Sequence, residues 1–274
     1  MKNFFSLFCL ALFCLGTNQS FCQTSKAEEP ITRFTEYAYM KVMPGKDDEY
    51  VRLEKAWKKI HLAKKKAGKI DDWSFSRIIS PSGANTEYDY VTRNTFLGED
   101  MYAATFTDEY MPANWKSLLT LEELELVSHT EEIRTLVKSE TWVIIDEVWA
   151  EDVKTNAKVF AVNYFSIPKG KSNGDHSKVE LDLWKPIHAA RVKAGTMKGW
   201  VLMDMMLPYG ESLPYSSVTI DGYADMRQFL TPWTEDYFKQ VHPGKDINAM
   251  FKQTTEACTL VKGELRMMID RLSW

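Results

Sequence analysis

The order of apolar and polar positions predicts one run of elements in the first half of the chain. From Thr35 to Met43, aromatic and β-branched residues alternate with polar ones up to Pro44-Gly45, which marks a strand closed by a turn. Lys46 to Ala67 is charged, alanine-rich and free of breakers until Gly68, so it is expected to be a helix stopped by a glycine. Trp73 to Ile79 and Tyr88 to Phe96 read as strands flanking the turn-forming segment from Ser80 to Asn85. A variable stretch containing Pro112 leads into a helix expected from about Leu121 to Val137. Glu140 to Trp149, rich in Val, Ile and Trp, closes the series as a strand. The order β-α-β-β-α-β is that of the ferredoxin-like split βαβ unit, whose two helices cover one face of an antiparallel sheet.

The same signals return in the second half. Trp57-Lys-Lys-Ile-His61, followed by Lys-Ala-Gly68 and Trp73, is answered 127 residues later by Trp184-Lys-Pro-Ile-His188, Lys-Ala-Gly195 and Trp200. That offset also carries Pro81, Gly83, Tyr88 and Val91-Thr92 to Pro208, Gly210, Tyr215 and Val218-Thr219. Further on, Thr135-Leu-Val-Lys138-Ser-Glu140 matches Thr259-Leu-Val-Lys262-Gly-Glu264 at an offset of 124, so the halves differ by a few loop residues. An ordered series of this kind marks an internal duplication. Two units are expected, 31–150 and 157–274, joined by the polar stretch from Glu151 to Lys158, in an α+β fold.

Composition narrows the choice of partners. The 274 residues are 45% hydrophobic and 26% charged, a globular balance, and the net charge of −4 comes from interspersed signs. No basic field exists to grip a phosphate backbone, so nucleic acid is not an expected partner. Of the four cysteines, Cys9, Cys14 and Cys22 fall in the first 22 residues, beside Lys2, an apolar run from Phe4 to Leu15 and the polar stretch Gly16 to Ser20. That is the layout of a secretory signal peptide. Its apolar run of 12 residues is short of the roughly 20 that span a bilayer, so no transmembrane segment is expected. Cleavage after Cys22 and export to the periplasm or the exterior are expected. Lipoprotein anchoring is the alternative, disfavoured by the bulky Phe13 and Phe21 where a small residue should precede an acylated cysteine. The mature chain then keeps one cysteine, Cys258, and its core must supply its stability without an internal disulfide.

Two such units in tandem resemble the dimeric α/β-barrel superfamily, in which two ferredoxin-like units put their sheets together. The resemblance spans nearly the whole chain beyond the signal. It implies an intramolecular pseudo-dimer forming one α/β barrel, with room for further homo-oligomerisation. The Trp-Lys-x-Ile-His, Lys-Ala-Gly and Trp signature is also similar to that of a group of exported Gram-negative bacterial proteins of unassigned function. The superfamily includes monooxygenases, haem-handling enzymes, dehydratases, isomerases and members without known activity, so the fold alone selects no reaction. It further implies that the cleft between the first helix and the sheet is the ligand site.

The repeated histidines are the leading candidates for chemistry. At 100° per residue, Tyr50, Leu53, Glu54, Ile60 and His61 lie within about 60° of Trp57, with His61 at the polar edge of that face. An imidazole at a helix–sheet cleft serves as general base, hydrogen-bond donor or metal ligand. The alternative for His61 and His188 is a structural role at the seam. Glu54, two turns before His61, is placed to orient or charge its ring, and the residue 127 positions later is Leu181, which confines such a pair to the first unit. Pro186 stands where the first unit has Lys59, and predicts a late helix start near Leu183 or a kink beside His188.

Trp57, Trp73, Trp184 and Trp200 are candidates to line a flat apolar pocket, with the phenols of Tyr88 and Tyr215 pointing into it; core packing produces the same spacing. Met203 and Met205 share a strand face with Met206 opposite, which suits core filling better than a copper site, so no metal is expected. His129, His176 and His242 fall outside the repeated positions and are expected on the surface or in loops. No standard hydrolase, zinc or nucleotide motif is present. The expectation is therefore an exported, cofactor-free protein that binds a small aromatic or apolar molecule in its helix–sheet clefts. Acid–base or oxygenase-like chemistry would centre on His61 and His188; a non-catalytic ligand-binding or assembly protein is the alternative.

Overall fold

The computed structural model describes residues 31–151, 157–210, 212–232 and 234–272. The expected signal segment, with Cys9, Cys14 and Cys22, lies outside the described residues. The first half runs β1 (Arg33–Val42), α1 (Asp47–Lys66), β2 (Asp72–Ser80), β3 (Tyr90–Leu97), α2 (Leu121–Ser128) and β4 (Arg134–Trp149). The second runs β5 (Val159–Ser166), α3 (Asn173–Val179), α4 (Lys185–Lys193), β6 (Gly199–Leu207), β7 (Ser217–Tyr223), α5 (Ile247–Ala257) and β8 (Thr259–Arg271). Short helical turns fill most of the remaining connections.

One boundary departs from the expectation. The helix expected to reach Val137 starts on a capping box between Thr120 and Glu123, but α2 ends at Ser128 and one further turn ends at Ile133. Arg134 to Val137 instead open β4, with Arg134 to Leu136 pairing with Met40 to Val42 of β1 and Val137 at a bulge. The β-branched Thr135 and Val137 favour that ladder over a helix with no core face left to bury.

All eight strands pair antiparallel and close into a barrel in the order β1-β3-β2-β8-β5-β7-β6-β4. Within each half the order is the same, β4-β1-β3-β2 and β8-β5-β7-β6, and the halves are joined through β2–β8 and β4–β6. Closure leaves no unpaired edge among the described strands. Side chains alternate between two environments. Phe34, Trp73, Phe75 and Tyr90 face outward beneath the Tyr50 and Leu53 face of α1, while Tyr37, Tyr39, Val162 and Met203 point into the barrel.

Helices α3 and α4 are one continuous helical run through a π-turn at Glu180–Trp184. The run from 173 to 193 has 21 residues against 20 in α1, and a π-turn is how a helix absorbs one extra residue. Before the turn the two helices are therefore related by 126, and after it by 127. Glu54 thus corresponds to Glu180, and not to Leu181; both carboxylates are buried. Tyr50 likewise corresponds to His176, and neither exposes any surface. The acid inferred for the first unit alone is present in both, and the helix does not start late. Pro186 follows the widened turn, where a missing amide is tolerated.

Deleting the exposed Asp182 should remove the extra residue and straighten the helix with its buried faces intact, whereas deleting Lys55 from α1 rotates Glu54 and Leu53 by about 100° relative to Trp57 and His61. The expected outcome in thermal denaturation is a Tm lowered by roughly 10 °C for the Lys55 deletion and by far less for the Asp182 deletion. Equal losses would show that the π-turn is required rather than accommodated.

Candidate functional site

The structure brings the predicted helix and strand residues together twice. His61 stacks on Trp73 with centroids 5.3 Å apart and an interplanar angle of 15°, and Trp57 tilts against it at 6.3 Å. His188 stacks on Trp200 at 5.5 Å and 11°, with Trp184 at 6.4 Å. Both Nδ1 atoms are buried without a hydrogen-bond partner. The Asp221 carboxylate stands 3.9 Å from that of His188. Burial, helped by the neighbouring Lys64 and Arg191 charges, lowers each imidazole to about 3, so both rings are neutral near pH 7.

Glu54 does not serve His61. Its carboxyl lies beside Tyr50 and Arg134, and burial, opposed by those two groups, raises it to about 7. In the second seam burial raises Asp221 to about 7 against the pull of Arg191. The expectation that His176 and His242 lie on the surface is also corrected. His176 Nδ1 is 2.9 Å from Ser217 Oγ, its Nε2 is 3.3 Å from Glu180, and His242 Nε2 is 2.9 Å from the Leu183 carbonyl oxygen. Cys258 is buried, and its thiol is pushed up to about 12, chiefly by burial.

Tyr88 and Tyr215 point into the barrel, away from the histidines, and belong to a network that sequence reasoning did not anticipate. Tyr215 donates to Glu140 Oε1 at 2.6 Å and Tyr39 to Glu140 Oε2 at 2.7 Å. In the equivalent cluster Tyr88 of the first half donates to Glu264 Oε1, and Tyr164 donates to Glu264 Oε2 at 3.1 Å. Lys138 lies 3.1 Å from Glu140 and Lys262 2.8 Å from Glu264, each also donating to its phenol. Every member has its equivalent: Tyr39 and Tyr164, Tyr88 and Tyr215, Lys138 and Lys262, Glu140 and Glu264. One position breaks the symmetry. Arg266, which donates to Glu264 at 2.8 Å and to Tyr164 at 2.5 Å, occupies the place that Trp142 holds in the first half. Burial works against ionisation of Glu264, but Arg266, Lys262 and Tyr88 outweigh it and hold its carboxyl at about 2. The signal for this network was the repeated Lys-x-Glu on the last strand of each half, which reads equally well as a solvated face.

Beyond Arg266 the barrel holds a cavity of about 520 Å³ that opens at the end where β1 and β5 begin. One wall, from the first half, presents Thr35, Tyr37, Ser74, Ser76 and Arg93; the other presents Phe160, Val162, Val201, Met203 and Ile220. The ladders show that these are equivalent positions. Arg93 pairs with Tyr37 and Ser74, and Ile220 pairs with Val162 and Val201. At the rim Arg93 meets Asp72 at 2.5 Å, and Arg33 pairs with Glu147. The Trp149 ring lies over Gly199, where a Cβ would collide with it, and its Nε1 donates to Glu147 at 2.9 Å.

His61, His188, Glu54 and the four seam tryptophans do not line this cavity. Tyr88 borders a second, open hollow of about 540 Å³ beneath the 81–87 loop, together with Lys262 and Glu264. Among the described residues no three His, Cys, Asp or Glu side chains gather to hold a metal ion. No helix among them is long and apolar enough to cross a membrane.

No protein-family model matches the sequence, and no curated protein matches it. Solved structures do share its fold. The "putative monooxygenase" of Lactobacillus acidophilus NCFM superposes with a TM-score of 0.50 at 12% identity, covering 88% of this chain and 94% of its own. That of Fusobacterium nucleatum subsp. nucleatum superposes with a TM-score of 0.52 at 11% identity, covering 89% of this chain and 95% of its own. At such identities the likeness is one of architecture, the eight-stranded α/β barrel.

The buried imidazoles set a sign for pH dependence. Their folded values near 3 lie below the ordinary 6.5, so the unfolded chain binds more protons between these limits and their contribution to stability is lost as pH falls from about 6.5 to 3. Glu54 and Asp221, raised to about 7, act oppositely: their contribution is present at low pH and lost as pH rises through 7. Relative to a His61→Phe/His188→Phe variant, the wild type should lose about 1.4 kcal/mol per histidine for each pH unit below 6.5. Urea unfolding at successive pH values checks this; parallel curves for the two proteins would refute it.

Proposed function

We propose that the chain binds a small, largely apolar molecule inside the barrel, between the polar wall of β1–β3 and the apolar wall of β5–β7. The observation that carries this reading is the exchange of character at five equivalent pairs: Thr35 and Phe160, Tyr37 and Val162, Ser74 and Val201, Ser76 and Met203, Arg93 and Ile220. Equivalent positions in the two halves face the same packing demands, and the Tyr-Glu-Lys clusters and the stacked His-Trp pairs are accordingly alike in both. These five wall pairs are not, and at each of them the first-half residue is the more polar, as a two-faced ligand requires; at the cavity floor Arg266 against Trp142 runs the other way. The cavity, about 520 Å³, is of the size that takes small organic molecules.

In this reading the chain is a tandem pair of ferredoxin-like units, 31–150 and 157–274, exported under the direction of residues 1–22. His61 and His188 serve the seams, where each ring packs flat on a tryptophan as a neutral, polarisable filler. The protein is a binding protein for a small molecule, and no step of a reaction is assigned to it.

The neutral fluorophore N-phenyl-1-naphthylamine tests the site. One molecule is expected to bind per chain, with affinity reduced by about tenfold or more in Ile220→Trp or Val162→Phe, which fill the cavity, and unchanged in His188→Ala. Two sites per chain, or loss of binding in His188→Ala with Ile220→Trp unaffected, would move the ligand to the helix–sheet clefts.

A further inference from the structure

We infer that the ligand of the barrel cavity is an amphipathic monocarboxylate whose carboxylate docks on the buried guanidinium of Arg266. This rests on the reading of the cavity as the binding site, and adds the chemical class of the molecule.

The inference follows from charge pairing inside the barrel. Glu140 has Lys138 at 3.1 Å and Glu264 has Lys262 at 2.8 Å, which balances each carboxylate with one ammonium. The four phenols add no charge near neutrality, because burial raises Tyr39, Tyr88, Tyr164 and Tyr215 above the ordinary tyrosine range. Arg266 is then a third cation against two anions. It is almost fully buried and shares its counterion, Glu264, with Lys262, so the interior keeps one positive charge in excess, which is costly. The barrel does not need this charge to close, since the uncharged Trp142 fills the equivalent place in the other half.

The remaining charges of the cavity do not supply the missing anion. Arg93 is matched by Asp72 and Arg33 by Glu147. Asp71, Glu151 and Arg271 stand at the partly exposed mouth, where water screens them. Arg266 Nε and Nη2 are engaged by Glu264 and Tyr164, and Nη1 makes neither contact.

A ligand with one negative charge completes the pairing; a dianion would leave a new uncompensated charge. A carboxylate also suits the planar donors of a guanidinium. The rest of the molecule lies along Phe160, Val162, Val201, Met203 and Ile220, a surface that offers no hydrogen bond from its side chains and calls for an aliphatic chain or an aryl group.

Displacement of N-phenyl-1-naphthylamine by decanoate and by decanol at pH 8 separates the two layers of this reading. Decanoate is expected to bind at least about tenfold more tightly than decanol. In R266M, which keeps Lys262 on Glu264, decanoate should weaken by about tenfold or more while decanol stays within about threefold; R266K should retain the preference. Equal affinities of decanoate and decanol for the wild type would overturn the carboxylate inference and leave the cavity reading standing. Failure of the fluorophore and both chains to bind would overturn the cavity reading itself. The wild-type comparison decides the matter even if R266M proves too unstable to isolate.

Discussion

Inside the barrel, the carboxylates of Glu140 and Glu264 each meet a lysine and two phenols. A carboxylate taken from water into a protein interior is strongly disfavoured unless its lone pairs are satisfied and its charge matched. The groups that do this come from β1, β4, β5 and β8 and from the segments just before β3 and β7, whose Tyr88 and Tyr215 reach across to the carboxylate of the opposite half and tie the two halves together. Closure and pairing are mutually dependent: the ladders bring the phenols onto the carboxylates, and the satisfied carboxylates fix how the strands face each other. The network also fills one end of the barrel and leaves the other end hollow.

The duplicated architecture makes divergence readable. Where packing governs, the two copies agree: a histidine stacked flat on a tryptophan, a buried glutamate on the helix face, a Tyr-Glu-Lys cluster within. Where the cavity is lined, they part company, with hydroxyls and an arginine on one side and branched or aromatic apolar groups on the other. The seam histidines are the most conspicuous shared residues. In the proposed reading their sharing reflects two similar helix–sheet contacts, each a neutral ring on an indole.

Much of the architecture was legible in the sequence. Strand alternation, the glycine stops at Gly68 and Gly195 and the repeat gave the element order, and the helical face around Trp57 put His61 on the side of α1 that meets the sheet. What escaped was governed by geometry that one-dimensional spacing conceals. The extra residue in the second helix shifts its first turns by one position, which hid the match of Glu54 to Glu180 until both ends of the helix were anchored on the sheet. The start of β4 was hidden because Arg134 to Val137 follow a helical pattern locally, while their fate was set by pairing with β1. Lys-x-Glu on a strand reads as a solvated face; only barrel closure turns that face inward. Arg266 carried no local signal at all, because its meaning depends on counting charges brought together from two halves.

The most direct measurement is a crystal structure of the protein grown with decanoate. The predicted result is a single molecule within the barrel, its carboxylate at Arg266 and its chain along Val162, Val201 and Ile220. A ligand seated beside His61 or His188 in the helix–sheet seams, with the barrel cavity unfilled, is the result that would contradict it.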